Sequence, residues 1–272
     1  MPGQIRFCAL VLCSLAFPIA IRGQAPSTST GQVPPQVAQM LNAQVVWDNG
    51  FNHPNGSRLR FAKVDEVTRP QGHYTRYRIY AAGVPEGPAY ILAAWTIGKS
   101  VDELNVLSDA VYVNRKGLLL TRKPNAAEED SDTVAPDAEY DLGVQAADGE
   151  PLRFLLRSAD NKVLVPGTLV PYPIQSADKA CRLSALLAEP DGEAILIEGN
   201  GFPPNSEAVV RDNSAGEQRQ SKKSVDAAGH FQFVELPYVF GKTAGILTET
   251  ITAKGCAVSV TIPWGNGSYH RR

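Results

Sequence analysis

Several groupings of residues in this 272-residue chain have types and spacing that would suit particular chemistries. Gly98-Lys99-Ser100 and Gly241-Lys242-Thr243 both carry the end of a phosphate-binding loop. Such a loop needs a further glycine five residues upstream, so that backbone N–H groups can wrap the phosphate. Ala93 and Leu236 stand at those places, which argues against nucleotide binding. The four histidines, His53, His73, His230 and His270, are too widely spaced to form an HExxH or HxH pair of zinc ligands. There is no G-x-S-x-G elbow for a serine nucleophile. Residues 128–141 (EEDSDTVAPDAEYD) concentrate carboxylates, and Asp130 and Asp132 alternate as calcium ligands do. The cluster holds no glycine for the sharp turn of a calcium loop, and Pro124 and Pro136 favour irregular chain, so it reads as a solvated acidic loop. No pattern singles out a carboxylate pair for glycoside hydrolysis. The residues therefore point to no catalytic group, no cofactor and no metal.

The cysteines carry a different chemistry. Residues 1–25 open with Arg6, continue as an apolar run from Phe7 to Ile21, and end in small residues at Gly23 and Ala25. That is the layout of a secretory signal peptide, read here as residues 1–23. The run is short and holds Pro18, which disfavours the alternative of a permanent membrane anchor. Cys8 and Cys13 would leave with the signal, so Cys181 and Cys256 remain. Two thiols exported to an oxidising compartment usually pair, and their Cα atoms are expected within about 7 Å. No other stretch is long and apolar enough for a helical membrane span in the mature chain. The formal charge is −2, and loss of Arg6 and Arg22 makes it two units more negative, which excludes a nucleic-acid binder working through bulk positive charge.

The elements that must position these residues are mostly short strands. Residues 24–39 are rich in Pro, Ser, Thr and Gly and read as a flexible linker. Helical spacing is confined to Val37–Ala43 and to Ser100–Leu107, where Ser100 can cap a single turn. Elsewhere apolar residues alternate or run in short blocks, and turn signals recur at the spacing of β-sandwiches. Tyr90–Ile97 (YILAAWTI) is nearly all apolar and should be buried on both faces. Tyr74–Tyr80 (YTRYRIY) alternates aromatic and cationic residues and reads as an exposed edge strand open to strand addition.

One stretch carries a resemblance. EGNGFPPNSE (Glu198–Glu207), followed by DAAGHFQF (Asp226–Phe233), resembles the G-x-G-F-x-P signature of immunoglobulin-like IPT/TIG modules of bacterial secreted proteins. Gly199 and Gly201 permit a kink after a strand, Phe202 plugs the core, and Pro203-Pro204 redirects the chain. The resemblance implies a fold and no activity; the first half resembles no named family.

The expected architecture is all-β: two tandem β-sandwich domains at residues 40–176 and 177–265, the second immunoglobulin-like, with one or two short helices and a flexible tail over 266–272. The expected function is non-catalytic, a binding or structural module in the periplasm, secreted, or held at the cell surface. Its partner would be a protein or another envelope component such as a polysaccharide. Contact residues are expected at Tyr74, Arg76 and Arg78 on the candidate edge strand, and at Trp264 and Tyr269 near the C-terminus. The alternatives are a carbohydrate-binding accessory module, which needs coplanar exposed rings, and a carbohydrate-active enzyme with a site between the domains.

Overall fold

A computed structural model describes residues 57–70, 72–95, 104–189 and 191–265. Over these residues the chain forms sixteen strands: β1 Leu59–Arg69, β2 Gly72–Ala81, β3 Tyr90–Trp95, β4 Asn105–Val113, β5 Leu119–Leu120, β6 Leu142–Val144, β7 Leu152–Arg157, β8 Leu164–Leu169, β9 Ile174–Asp178, β10 Cys181–Leu187, β11 Ile195–Asn200, β12 Glu207–Ser214, β13 Glu217–Ser224, β14 Phe231–Glu235, β15 Ala244–Ala253 and β16 Cys256–Gly265. They make four sheets, ordered β1-β2-β6, β5-β4-β3-β7-β8, β14-β11-β10-β9 and β13-β12-β15-β16.

Each sheet hides one face against another, which is the physical reason for stacking in pairs. The first pair encloses Tyr77, Ile79 and Leu142 from one sheet and Tyr90, Leu92, Phe154 and Leu156 from the other. β3 is the middle strand of its sheet, with Tyr90, Leu92, Ala93 and Trp95 buried and Ile91 and Ala94 partly so, in keeping with its unbroken apolar run. The second pair encloses Leu183, Ile195 and Ile197 on one side and Val210, Leu247, Ile251 and Val260 on the other.

The Gly199–Pro204 segment lies where its composition predicts. Gly201 has φ of +72°, and a Cβ there would lie 2.1 Å from the Ala180 carbonyl oxygen. A Cβ on Gly199 would lie 2.1 Å from the Phe231 ring, so both positions require glycine. Phe202 is buried, edge-on to Phe231 at 4.8 Å between ring centroids. Asp226 closes the next turn by accepting hydrogen bonds from the N–H groups of Ala228 and His230.

Two expectations need correction. Among the described residues there is no helix. Asn105–Leu107, assigned to a helical turn by spacing, begins β4, where Asn105 pairs with Ala94 and Val106 with Ala93. Val106 and Leu107 are exposed, so the apolar spacing marks no buried face, and pairing with the buried β3 prevails over one local cap. The other helical candidate, Val37–Ala43, lies outside the described residues, as do the segments expected to be a signal peptide (1–23), a linker (24–39) and a tail (266–272). Tyr74–Tyr80 is also no edge. β2 is the central strand of its sheet, pairing with β1 along one side and with β6 along the other.

Candidate functional site

The expected contact residues are distributed differently from their sequence pattern. On β2, Thr75, Tyr77 and Ile79 point into the core, while Tyr74, Arg76 and Arg78 lie half-buried on the other face. Arg76 is forked onto Asp65 with two contacts of 2.6 Å and reaches Asp141 at 3.5 Å. Arg78 meets Glu139 at 2.5 Å. These cations are committed to neighbouring strands and to the acidic segment. That segment is itself neutralised: Arg115 meets Asp130 at 3.1 Å, Lys116 meets Asp132 at 3.6 Å, and Arg122 grips Glu128 through two 2.8 Å bonds. The side chain of Asn114 donates to the Glu128 and Ser131 carbonyls and so pins the same loop. The acidic run is thus a charge-paired loop.

Trp264 is 1% exposed and belongs to the second core, so it is not a surface ring available to a sugar. Tyr269 lies outside the described residues. His230 sits on a turn, 3.6 Å from Asp226 and 3.5 Å from Glu198. His73 contacts Thr68 across the β1–β2 hairpin. Cys181 and Cys256 form a disulfide with Cα atoms 6.3 Å apart, inside the expected limit. The bond joins β10 to β16 and hence one sheet of the second pair to the other.

Two features escaped the sequence reading. The first is an apolar surface at the β14–β15 connection. Phe240 is 90% exposed, Tyr238 and Ile246 are also exposed, and Ile246 pairs with Pro263 on β16. Within the loop, exposure alternates: Pro237 and Val239 are buried, Tyr238 and Phe240 project outward. The loop is held at several points. Val239 is a member of the core, the Ser214 hydroxyl donates to the Pro237 carbonyl, and Lys242 N–H donates to the Val239 carbonyl. The Tyr238 ring lies 6.4 Å from that of Trp264. The aromatics are therefore displayed on a fixed frame.

The second feature is a row of ionisable groups that runs from the sandwich interior at Glu249 and Asp212 out to half-exposed Arg219. On β12, Ala208, Val210, Asp212 and Ser214 face inward; on β15, Leu247, Glu249 and Ile251 do. Register places Asp212 beside Glu249 on one side and Arg219 on the other. Arg219 meets Asp212 at 2.7 Å and crosses to Glu235 on β14 at 3.3 Å. Its guanidinium also reaches the Leu236 carbonyl at 3.5 Å. Lys223 lies 4.3 Å over the Phe233 ring. Glu249 is wholly enclosed, and neither carboxyl oxygen has a hydrogen-bond partner among the described residues. Burial pushes its carboxyl up to about 8, with Glu235 and Asp212 adding to the rise. Burial raises Glu235 as well, reinforced by Asp212 and opposed by Arg219 and Lys223. Period-two alternation in Leu247-x-Glu249-x-Ile251 is the signal that could have revealed an inward-facing acid.

A third acidic group, Glu189, Asp191 and Glu193, brings carboxylate oxygens within 4.8 Å of one another on the β10–β11 turn. Hard cations favour such oxygens, but mutual repulsion across an exposed turn is the ordinary state of such groups. The Gly265 N–H donates to the Asp191 carbonyl, so the turn also serves to cover the end of β16.

No protein-family model matches the chain, and no curated protein matches it. Among solved structures it is similar to one described as the crystal structure of a tetra-tandem repeat in the extending region of a large adhesion protein. The likeness has 10% sequence identity and a TM-score of 0.24, over 78% of this chain and 50% of that one. The chain thus spans about half the length of that solved chain, in a superposition too loose to carry a fold or a function.

Proposed function

We propose that the chain is an exported, non-catalytic module of two tandem β-sandwich domains, 40–176 and 177–265, whose second domain binds a protein partner through Phe240 and its neighbours. The carrying observation is the exposure of Phe240 on a loop whose alternate residues are locked into the core. The backbone that carries the ring is fixed on either side by buried Val239 and by the Lys242 N–H bond to the Val239 carbonyl, so little backbone freedom is lost on binding, and aromatic anchors dominate protein interfaces. Lys242 and Thr243, which follow Phe240 in the chain, are exposed polar groups, which suits a rim.

An immunoglobulin-like second domain is supported by its strand order. Taking β10 as the first strand, one sheet places the first, second and fifth strands of such a domain together with β9 added outside the first, and the other places the third, sixth and seventh together with β13 added at its edge. The sulfur bridge departs from the antibody pattern by linking the first and last of these strands. Export is supported by the same bridge, since disulfides persist in oxidising compartments, and by the charged and apolar layout of residues 1–23. A polysaccharide partner is less well supported, because Trp264 faces the core. The enzyme alternative draws no support from Glu249, Asp212 and Glu235, because Glu249 is closed off from any substrate.

The test is affinity purification of the tagged full chain from its native envelope, comparing wild type with Phe240→Ser and with a Lys222→Ser control. The reading expects one protein, identified by mass spectrometry, that accompanies wild type and the control and is lost with Phe240→Ser. Equal recovery with Phe240→Ser overturns it. Self-association that Phe240→Ser abolishes, seen by sedimentation of the purified chain, would replace the outside partner with a second copy.

A further inference from the structure

The β14–β15 loop and the interior ionic row meet at a single residue. Arg219 stands on β13, the edge strand of one sheet, and touches β14, the edge strand of the other. Its contacts are Asp212 beneath it, Glu235 across the gap, and the Leu236 carbonyl at the root of the loop that carries Tyr238 and Phe240. Among the described residues no covalent bond closes this side of the sandwich. Directly next to Asp212 in the cross-strand row lies Glu249, enclosed and without a hydrogen-bond partner among the described residues. The groups facing it are Asp212 from β12, Arg219 and Lys223 from β13, and Glu235 from β14; its partner on β16 is Val260.

An enclosed carboxyl with no donor is tolerable only while neutral. Once ionised it would sit beside one carboxylate and near another, away from bulk water. Two cations are close enough to answer it, and one of them, Lys223, is held over the Phe233 ring. Arg219 is the other, and it cannot turn inward toward Glu249 without leaving Glu235 and the Leu236 carbonyl.

We propose that Glu249 is a proton-controlled latch for the partner-binding loop: protonated, it leaves Arg219 free to clamp β13 to β14 and fix the root of the loop; ionised, it draws Arg219 off β14 and loosens that root. This rests on the reading of Phe240 as the contact residue for its biological meaning, although the latch itself is a property of the unbound chain. The pressure of burial on the Glu249 carboxyl, which holds its proton up to about pH 8, places the transition just above neutrality. Loss of the proton leaves a carboxylate on Glu249, and the proton goes to bulk solvent as the edge opens.

The experiment is amide hydrogen exchange on the full chain without partner at pH 6 and pH 9, with protection corrected for the intrinsic rate at each pH. The reporting amides are those of the β14–β15 loop, above all Lys242, whose N–H is bonded to the Val239 carbonyl. With a midpoint near 8, the ionised form rises from about one part in a hundred at pH 6 to about nine parts in ten at pH 9, so protection there should fall by about a hundredfold in wild type. It should not fall at β15–β16 amides next to the disulfide. With Glu249→Gln the loop should stay protected at both pH values. With Glu235→Gln, which removes the anchor on β14, it should be weakly protected at both. A wild-type loop whose protection is the same at pH 6 and pH 9, or an unchanged pH dependence in Glu249→Gln, overturns the proposal. Should Glu249→Gln fail to fold by circular dichroism, Glu235→Gln decides: a pH dependence as large as wild type overturns the latch. Phe240→Ser should keep the pH-dependent protection while losing the partner, so the latch and the contact surface can fail separately.

Discussion

On one side of the second sandwich β10, next to edge strand β9, is joined to edge strand β16 by the Cys181–Cys256 bond, and on the other side β13 and β14 meet through Arg219. The covalent edge is reinforced by polar contacts that need no burial: Lys179 donates to the Gly255 carbonyl at 2.7 Å, and Ala257 N–H donates to Asp178 at 3.0 Å. The ionic edge sits over an enclosed acid and depends on one guanidinium reaching two carboxylates. The two closures respond to different conditions. A disulfide yields to reductant and ignores proton concentration and salt, whereas a half-exposed ion pair is screened by salt and shifts with the charge beneath it. The loop that displays Phe240 hangs from the ionic side, so the stable edge holds the domain together while the responsive edge sets the geometry of the contact surface.

The comparison is broken most forcefully at the sulfur bridge. Replacing both Cys181 and Cys256 by serine opens a loop of 75 residues, which the chain-entropy account values at about 4 kcal/mol. Thermal unfolding should show that loss, and wild type in reductant should match the double variant. A variant as stable as wild type would mean the hydrophobic core alone closes that edge. On the other side, Arg219→Gln should cost less, about 1–2 kcal/mol in urea unfolding, because its ion pairs are partly exposed and only the bond to enclosed Asp212 is desolvated. If Arg219→Gln costs as much as loss of the disulfide, the ionic edge is no less structural than the covalent one.

The covalent edge was legible in the sequence and the ionic edge was not, for identifiable reasons. Once Cys8 and Cys13 are assigned to the signal, two cysteines remain, and the pairing follows from counting. Gly201 and Phe202 were legible because a left-handed kink and a buried ring leave sharp marks on residue choice. β13 (EQRQSKKS) was missed altogether, because a free edge strand polar on both faces has no alternation to read. Arg219 lies in that strand, and its partners Asp212 and Glu235 are far off in sequence, so only the register brings them together. Tyr74–Tyr80 was misread in the opposite sense. Its Arg–Tyr alternation is real, but the arginines answer acids on β1 and near β6, contacts that only the sheet order reveals. Phe240 left no signal, since a lone aromatic beside Gly241 reads as turn or as core with equal ease.

The pH response sharpens the comparison. The folded-state carboxyl of Glu249 is raised to about 8 from a reference of 4.5, so the folded protein binds more protons than the unfolded chain between those values. Stability from this group is therefore complete below about pH 4.5 and declines as pH rises toward 8. Glu249→Gln should flatten that decline, and the gap in melting temperature between the variant and wild type should widen steadily from pH 5 to pH 8. The double cysteine variant should retain the slope of wild type, displaced downward, because the bridge carries no titrating group. A slope that survives Glu249→Gln would transfer the effect to Glu235 or Glu189, whose carboxyls are also raised by burial.

The smallest expected change in stability falls on the residue given the largest role in binding. Phe240 and Val239 are adjacent in one loop, yet the first is almost wholly exposed and the second is buried in the core. Phe240→Ser removes a ring that is already in water, so unfolding should shift by no more than about 0.5 kcal/mol. Val239→Ala empties part of a packed site and should cost about 1–2 kcal/mol. Binding should reverse the order: Phe240→Ser eliminates partner recovery, whereas Val239→Ala lowers it only as far as the loop loses its fixed geometry. Raising the pH to 9 should weaken partner binding by wild type and leave it unchanged in Glu249→Gln. If Val239→Ala abolishes binding and Phe240→Ser spares it, the loop contributes shape to a contact made elsewhere, and the ring at its tip is incidental.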